Sequence, residues 1–142
     1  MIEFWGFVVD SLSAILAAIA ILLYIIFWYK EKTSTNYDIF DSLYLDLLKT
    51  GLEFPRFRNK NETIIYQEKF QGNELIQYDI YAYISWNFIE TILDKGDDNL
   101  MVTWLPAIKL EASLHEKWFF QPENQLKFKP LFVEQVKKLV LN

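Results

Sequence analysis

The sequence predicts an all-α protein, with a single N-terminal transmembrane helix followed by a compact cytoplasmic bundle of about four helices. Three observations support this fold class. Residues 11–29 contain no charged side chain, apolar residues further along recur at steps of three and four, and Gly, Pro, Asn and Asp stand where these periodic segments end. We therefore divide the chain into a membrane anchor, residues 1–32, and a helical domain, residues 33–142.

The N-terminal apolar run is long enough to cross a bilayer. At about 1.5 Å per residue it spans roughly 28 Å, close to the roughly 30 Å of a hydrocarbon core, and we expect the helix to cover about residues 5–29. A cleavable signal peptide would begin with basic residues, whereas residues 1–10 contain Glu3, Asp10 and no Lys or Arg. A buried core helix would need a larger domain around it than the remaining chain provides.

The basic residues that flank the run predict its orientation. Lys30 and Lys32 follow it and no Lys or Arg precedes it, so the N-terminus should face outward and the bundle should lie in the cytoplasm. The absence of cysteine agrees with a domain that needs no disulfides and is compatible with either compartment.

One face of the predicted anchor is small or polar at nearly every position. Small side chains at this spacing let two helices approach closely in lipid, which predicts self-association. The alternative is that Ala is simply common in membrane helices and that the carboxylate lies in the headgroup layer. The candidate oligomerisation face consists of Gly6, Asp10, Ser13, Ala17, Ala20 and Tyr24.

The helical domain begins close to the anchor. Asn36 is a candidate N-cap for a helix whose apolar positions run from Phe40 to Leu48, and Gly51 is a candidate terminator. Asn61 could then cap one or two turns over residues 62–70, which Gly72 would end.

The longest helix is predicted over residues 74–95, between Asn73 and Gly96. Its apolar face is wide, and Ile76, Ile80 and Ile84 widen it further. The β-branched and aromatic residues 80–86 would also suit a strand, but polar residues at steps of three and four favour a helix. Two further helices are predicted, one from residues 97–98 to Pro122 with Pro106 near its start or at a kink, and one over residues 130–141.

The best candidates for chemistry are Glu111 and His115, four residues apart and therefore on one helix face. A metal-dependent enzyme would need further ligands, and helical metal sites commonly place Glu and His three residues apart. We expect instead a partly exposed pair that stabilises one helix by a few tenths of a kcal/mol. The chain has no Cys nucleophile, and its four glycines are isolated, unlike those of phosphate-binding loops. We predict no catalytic residue, no metal and no cofactor.

Two segments are candidate binding surfaces. Arg56, Arg58 and Lys60 stand among two Phe residues and could contact anionic lipid headgroups or a small anion, although a solvated loop is the simpler interpretation. Residues 33–142 hold 12 Lys and Arg against 16 Asp and Glu, a negative balance that argues against nucleic acid as a partner. Three consecutive aromatics cannot all face inward on one helix, so the surplus could bind a protein partner or close against the last helix. They are Trp118, Phe119 and Phe120.

No motif in the chain is specific enough to identify a family. The sequence favours a non-enzymatic, single-pass membrane protein in contact with the lipid bilayer, which forms a homo-oligomer and whose bundle binds a protein partner at the membrane surface or senses a ligand. The alternative is a membrane-perturbing effector of a bacterial defence or toxin system, triggered by a signal that the bundle binds.

Overall fold

The computed structural model describes the backbone of residues 2–96 and 98–140, and the side chains of residues 15–32, 34–96 and 98–138. Every regular element in these ranges is helical, which confirms the all-α prediction. The elements are α1 (Ile2–Glu53), a 3-10 helix (Pro55–Arg58), α2 (Lys60–Thr63), α3 (Tyr66–Lys69), α4 (Asn73–Lys95), α5 (Asp98–Phe119), α6 (Pro122–Gln125) and α7 (Pro130–Val140).

The chain divides into two compact units, Met1–Asp38 and Ile39–Asn142. The boundary falls within α1, which continues without interruption from Ile2 to Glu53. The predicted helix start at Asn36 is therefore wrong, because residues 30–36 contain neither Gly nor Pro and nothing in them stops a helix. The helix ends at Glu53, two residues before Pro55, whose ring disfavours helical backbone in the residue before it.

The described backbone of the first unit is entirely helical, and its described apolar side chains are exposed. Among the described residues, no helix combines the length and the apolar character that a membrane crossing requires. The transmembrane helix predicted at about residues 5–29 thus lacks support from the structure. The side chains of its residues 5–14 lie outside the described ones.

The second unit is a helical bundle that contains α4, the helix predicted to be the longest; α1, with 52 residues, is longer than α4, with 23. This helix packs along α5 and begins at Asn73, after Gly72, whose φ of 57° lies in the left-handed region that glycine adopts without strain. Residues 80–86 are helical, so the strand alternative is wrong. The short helix α2 is capped by Asn59, whose side chain accepts a hydrogen bond from the Asn61 amide at 3.1 Å, and not by Asn61 as predicted.

Aromatic side chains form most of the bundle core. Besides the mutual contacts of Phe40, Tyr44, Phe88 and Trp104, they form two further groups. One group surrounds Tyr78, with Phe57, Phe70 and Tyr66 at ring-centroid distances between 4.8 and 5.5 Å. The other surrounds Phe119, which stacks on Trp86 at 4.1 Å and contacts Phe128 and Phe132. Such edge-to-face and offset pairs add about 0.5–1.5 kcal/mol each beyond the burial of their area.

Candidate functional site

The bundle contains a buried cluster of ionisable side chains, which we call the ion-pair cluster. It lies entirely within the unit Ile39–Asn142 and draws on α1, the 3-10 helix, α4 and α5. Its members are Tyr44, Arg58, Tyr78, Tyr81, Glu111 and His115.

The centre of the cluster is a two-point ion pair between Arg58 and Glu111. The Arg58 Nη2 donates to Glu111 Oε1 at 2.8 Å, and Nη1 donates to Oε2 at 3.2 Å. The Glu111 side chain is fully buried and that of Arg58 is 20 % exposed. Parallel bonds of this kind are among the strongest that a guanidinium makes, and they fix its orientation.

Two tyrosines complete the hydrogen bonding of this pair. Arg58 Nη1 also donates to the Tyr81 hydroxyl at 2.9 Å, and that hydroxyl donates to the Leu47 carbonyl of α1 at 3.3 Å. The Tyr44 hydroxyl, also on α1, donates to Glu111 Oε1 at 3.3 Å. Hydrogen bonds to the ion pair therefore connect α1, α4 and α5. If these helices separated, buried charged groups would lose their partners.

The protonation states follow from these contacts. Burial by itself lowers the pKa of Arg58, but the hydrogen bonds to Glu111 and Tyr81 outweigh it, so the pKa is raised above the ordinary arginine value. Burial, and then the charge of Glu111, raise the pKa of Tyr44. Burial also raises the pKa of Tyr81, although Arg58 opposes this. Arginine is thus the charged donor at neutral pH, and both phenols are protonated.

His115 lies beside the ion pair but does not share its hydrogen bonds. Its Nε2 is 3.9 Å from Glu111 Oε2 and has no hydrogen-bond partner, while Nδ1 lies 3.2 Å from the Tyr78 hydroxyl. Burial, with a contribution from the nearby charge of Arg58, lowers the pKa of His115 to about 3. The imidazole is therefore neutral at physiological pH.

The backbone of α5 is irregular at this histidine. His115 has φ −117° and ψ 17°, outside the helical range. Its carbonyl accepts a hydrogen bond from the Trp86 indole nitrogen on α4 at 3.0 Å. The indole thus satisfies a carbonyl at the point where the helix geometry is interrupted.

Gly51 explains how Arg58 and Tyr81 fit against α1. A methyl group at this glycine would lie 2.4 Å from the Arg58 Cδ and 2.8 Å from the Tyr81 hydroxyl. The residue lies inside α1 and not at its end, so the predicted role as helix terminator is wrong. Its function is to leave space for the cluster.

The structure also corrects the predicted relation of Glu111 and His115. Both side chains are completely buried and not partly exposed, and the stronger partner of the glutamate is Arg58. The spacing of residues along one helix indicated His115 as the i, i+4 neighbour of Glu111. It could not reveal an arginine 53 positions away in the chain.

The basic residues proposed as an anion or lipid contact are already largely paired within the chain. Arg56 Nε lies 2.6 Å from Glu62 Oε2 and its guanidinium also pairs with Glu74, whereas Arg58 binds Glu111. Lys60 is exposed. The anion contact stays a prediction.

The proposed partner surface lies largely in the core of the chain itself. Trp118 and Phe119 are fully buried and Phe120 is half-buried. The Trp118 indole nitrogen donates to Asp79 at 2.8 Å. The surplus aromatic surface is covered by Phe128 and Phe132, contributed by the last segments of the chain.

The candidate oligomerisation face is described only in part. Ala17, Ala20 and Tyr24 are exposed on α1, whereas the side chains of Gly6, Asp10 and Ser13 lie outside the described residues. Self-association through this face stays a prediction.

No protein-family model, no curated protein and no solved structure matches the chain.

Proposed function

We propose that the protein is a non-enzymatic helical protein, anchored to a lipid bilayer by the first part of α1, whose bundle binds a protein partner or senses a ligand at the membrane surface. The supporting observation is the continuous exposure of apolar side chains between Ile15 and Tyr29 on α1. We call these residues the apolar segment.

The exposure reaches every side of the helix. Nine consecutive residues, Ile21 to Tyr29, are aliphatic or aromatic, and each is between 50 and 70 % exposed. Because successive residues of an α-helix point about 100° apart, nine of them cover the full circumference more than twice. A single protein partner covers one face of a helix, whereas lipid surrounds it, and a helix that is apolar all round is typical of a membrane.

The C-terminal end of the apolar segment has the composition of a membrane interface. Trp28 and Tyr29 are followed directly by Lys30, and the Lys32 ammonium lies 5.2 Å from the centre of the Trp28 ring. Indole and phenol rings favour the headgroup level, and lysines beside them favour the cytoplasmic side. This supports an orientation with the N-terminus outside and the bundle in the cytoplasm.

The ion-pair cluster supports a structural role and not a catalytic one. Glu111 and His115, the two groups best suited to acid–base chemistry, are fully buried, and Arg58 occupies both oxygens of the carboxylate. A substrate would have to displace the guanidinium to reach them. Buried ionic groups of this kind contribute to a unique packing arrangement in some proteins, and we assign that role here.

The test is membrane partitioning of the full chain expressed in cells. Leu22→Arg with Ile25→Arg places two charges in the apolar segment, each costing about 2.5–3.5 kcal/mol at the centre of a bilayer. We expect the unmodified chain to remain in membranes washed with alkaline carbonate and the double variant to be released. Leu126→Arg with Leu131→Arg is the control, because these leucines of the bundle are at least as exposed as Leu22 and Ile25.

Release of the control together with the test variant, or retention of both, would contradict the proposed anchor. Orientation is tested separately on the chain with Ser34→Cys, which is its only cysteine. We expect an impermeant maleimide to label it only after the cells are permeabilised. Labelling of intact cells would reverse the proposed orientation without affecting the anchor.

A further inference from the structure

One face of α4 is exposed and uncharged over four turns. Every exposed residue of α4 between Asn73 and Asn87 lacks a charge. We call this set the α4 stripe, and it consists of Asn73, Ile76, Gln77, Ile80, Tyr83, Ile84 and Asn87.

The acidic residues of the same part of α4 are bound to other groups of the bundle. Glu74 pairs with Arg56, and Asp79 accepts the hydrogen bond of the Trp118 indole. Both side chains are half-buried. The exposed face is therefore apolar at its centre, with Ile76 and Ile80 58 % and 56 % exposed, in a chain whose net charge is −5.

A helix face that meets water normally carries charges, whereas the central part of a protein interface is depleted of them. The isoleucines at 76, 80 and 84 follow the i, i+4 spacing that forms a ridge along a helix. The α4 stripe thus has the composition and the spacing of a helix-packing surface. In the structure it contacts nothing that would remove its isoleucines from water.

We propose that the α4 stripe is the contact surface for the α4 stripe of a second copy of this chain. In a two-fold contact, residues close to the axis meet their own copies, so a charged residue there would face an identical charge. Each residue type of the stripe suits its own copy. Isoleucine packs on isoleucine, and the amides of Asn and Gln and the hydroxyl of Tyr both donate and accept hydrogen bonds. On the remaining surface, the net negative charge of each copy would repel the other copy.

The size of the stripe indicates a weak and reversible contact. It is about 21 Å long and a helix is about 10 Å wide, so each copy would bury on the order of 200 Å². Stable interfaces bury about 800 Å² per partner. Association of this kind is best detected by trapping it covalently.

The absence of cysteine from the chain makes the trapping experiment selective. Ile80→Cys places one thiol near the middle of the stripe, and Val102→Cys places one at an exposed position of α5 that is 75 % exposed. The purified full chain in mild detergent is oxidised, and disulfide-linked dimer is followed over time on non-reducing gels. We expect the Ile80 variant to cross-link at least about tenfold faster than the control, because the contact raises the local thiol concentration.

Adding Ile76→Glu to the Ile80→Cys chain should reduce cross-linking to the rate of the Val102 control, since the contact would then bury a charge without a partner on each copy. Ile76 is exposed, so the fold should be retained, and circular dichroism checks this. Equal rates for Ile80→Cys and Val102→Cys would overturn the proposal. So would a product in which Ile80→Cys is linked to another protein when the oxidation is repeated on membranes of the expressing cells. All variants carry an unmodified α1, so cross-linking that depends on association through that helix alone would not be reduced by Ile76→Glu.

Discussion

Leu22 and Leu47 lie on the same helix and have the same side chain, yet the first is 59 % exposed and the second 2 %. The comparison extends to the regions around them. The apolar segment is largely aliphatic, without charge and exposed on all sides, whereas the core of the bundle that contains Leu47 consists mostly of aromatic rings and includes a buried ion pair. A run of apolar residues thus indicates contact with an apolar surrounding. Only the tertiary structure shows whether the core of the chain itself provides that surrounding.

The largest effect should come from breaking the ion pair. Glu111→Gln leaves the Arg58 guanidinium without its counter-charge in a mostly buried position, and we expect a loss of about 3–5 kcal/mol in the free energy of unfolding. Urea unfolding followed by circular dichroism measures it. Glu116→Gln is the control, because this glutamate is exposed on the same helix.

The same pair offers a second variant that separates charge from shape. Arg58→Met combined with Glu111→Leu removes both charges, and apolar replacement of a buried pair is often neutral or stabilising. We expect most of the stability lost in Glu111→Gln to return. If the double variant is as unstable as the single one, the geometry of the ion pair and not its charge balance holds the helices together.

The two leucines of α1 give a matched test of the comparison. Leu47→Ala removes a buried side chain and should lower the free energy of unfolding of the bundle by about 2–5 kcal/mol. Leu22→Ala should leave it within about 0.5 kcal/mol, since that side chain is exposed. Comparable losses for both variants would show that the apolar segment contributes to the stability of the bundle.

Gly51→Ala should change the free energy of unfolding less than these variants do. It should lower stability, whereas the same substitution in a helix usually raises it. Alanine in a helix is ordinarily favoured over glycine by about 1 kcal/mol. Here its methyl group would meet Arg58 and Tyr81, which the ion pair holds in place, and overpacking costs about 1–3 kcal/mol. We expect net destabilisation in urea unfolding, with Thr50→Ala on the same helix as the control. A more stable variant would mean that Arg58 moves aside freely.

The smallest change is expected in the titration of the His115 ring between pH 8 and pH 5. Because its pKa in the folded state is lowered to about 3 from an ordinary value near 6.5, the unfolded chain binds the proton first. Its contribution to stability is therefore complete above about pH 6.5 and decreases as the pH falls toward 3. As the sole histidine, it gives one unambiguous imidazole signal in NMR spectra. That signal should not titrate between pH 8 and pH 5, and a midpoint near 6.5 would place the ring in water.

Several elements of the fold could be read directly from the sequence. The limits of α4, Asn73–Lys95, differ from those predicted by one residue at the N-terminal end. The prediction succeeds because Gly72 and Gly96 flank the helix, and glycine favours helix ends. Pro130 likewise marks the start of α7. These boundaries depend on local backbone preferences, which the sequence contains in full.

Contacts between distant segments were not accessible in this way. Periodicity assigned Ile76, Ile80 and Ile84 to a wide apolar face that should contact several neighbours, but the structure exposes them, because the bundle covers only the other side of α4. The uninterrupted α1 was missed because Asn36 is a good N-cap and also an acceptable residue inside a helix, and residues 30–36 contain no Gly or Pro that would stop it.

The sequence by itself determined the helical class, the ends of most long helices and the existence of an apolar segment. The composition of that segment makes its exposure to water unfavourable. These properties follow from intrinsic propensity and periodicity, which act over a few neighbouring residues. Only the tertiary structure decided that Arg58 binds Glu111, that Gly51 leaves room for both Arg58 and Tyr81, and that His115 remains neutral. Each of these depends on residues far apart in the chain, whose separation in space is set by the packing of the whole bundle.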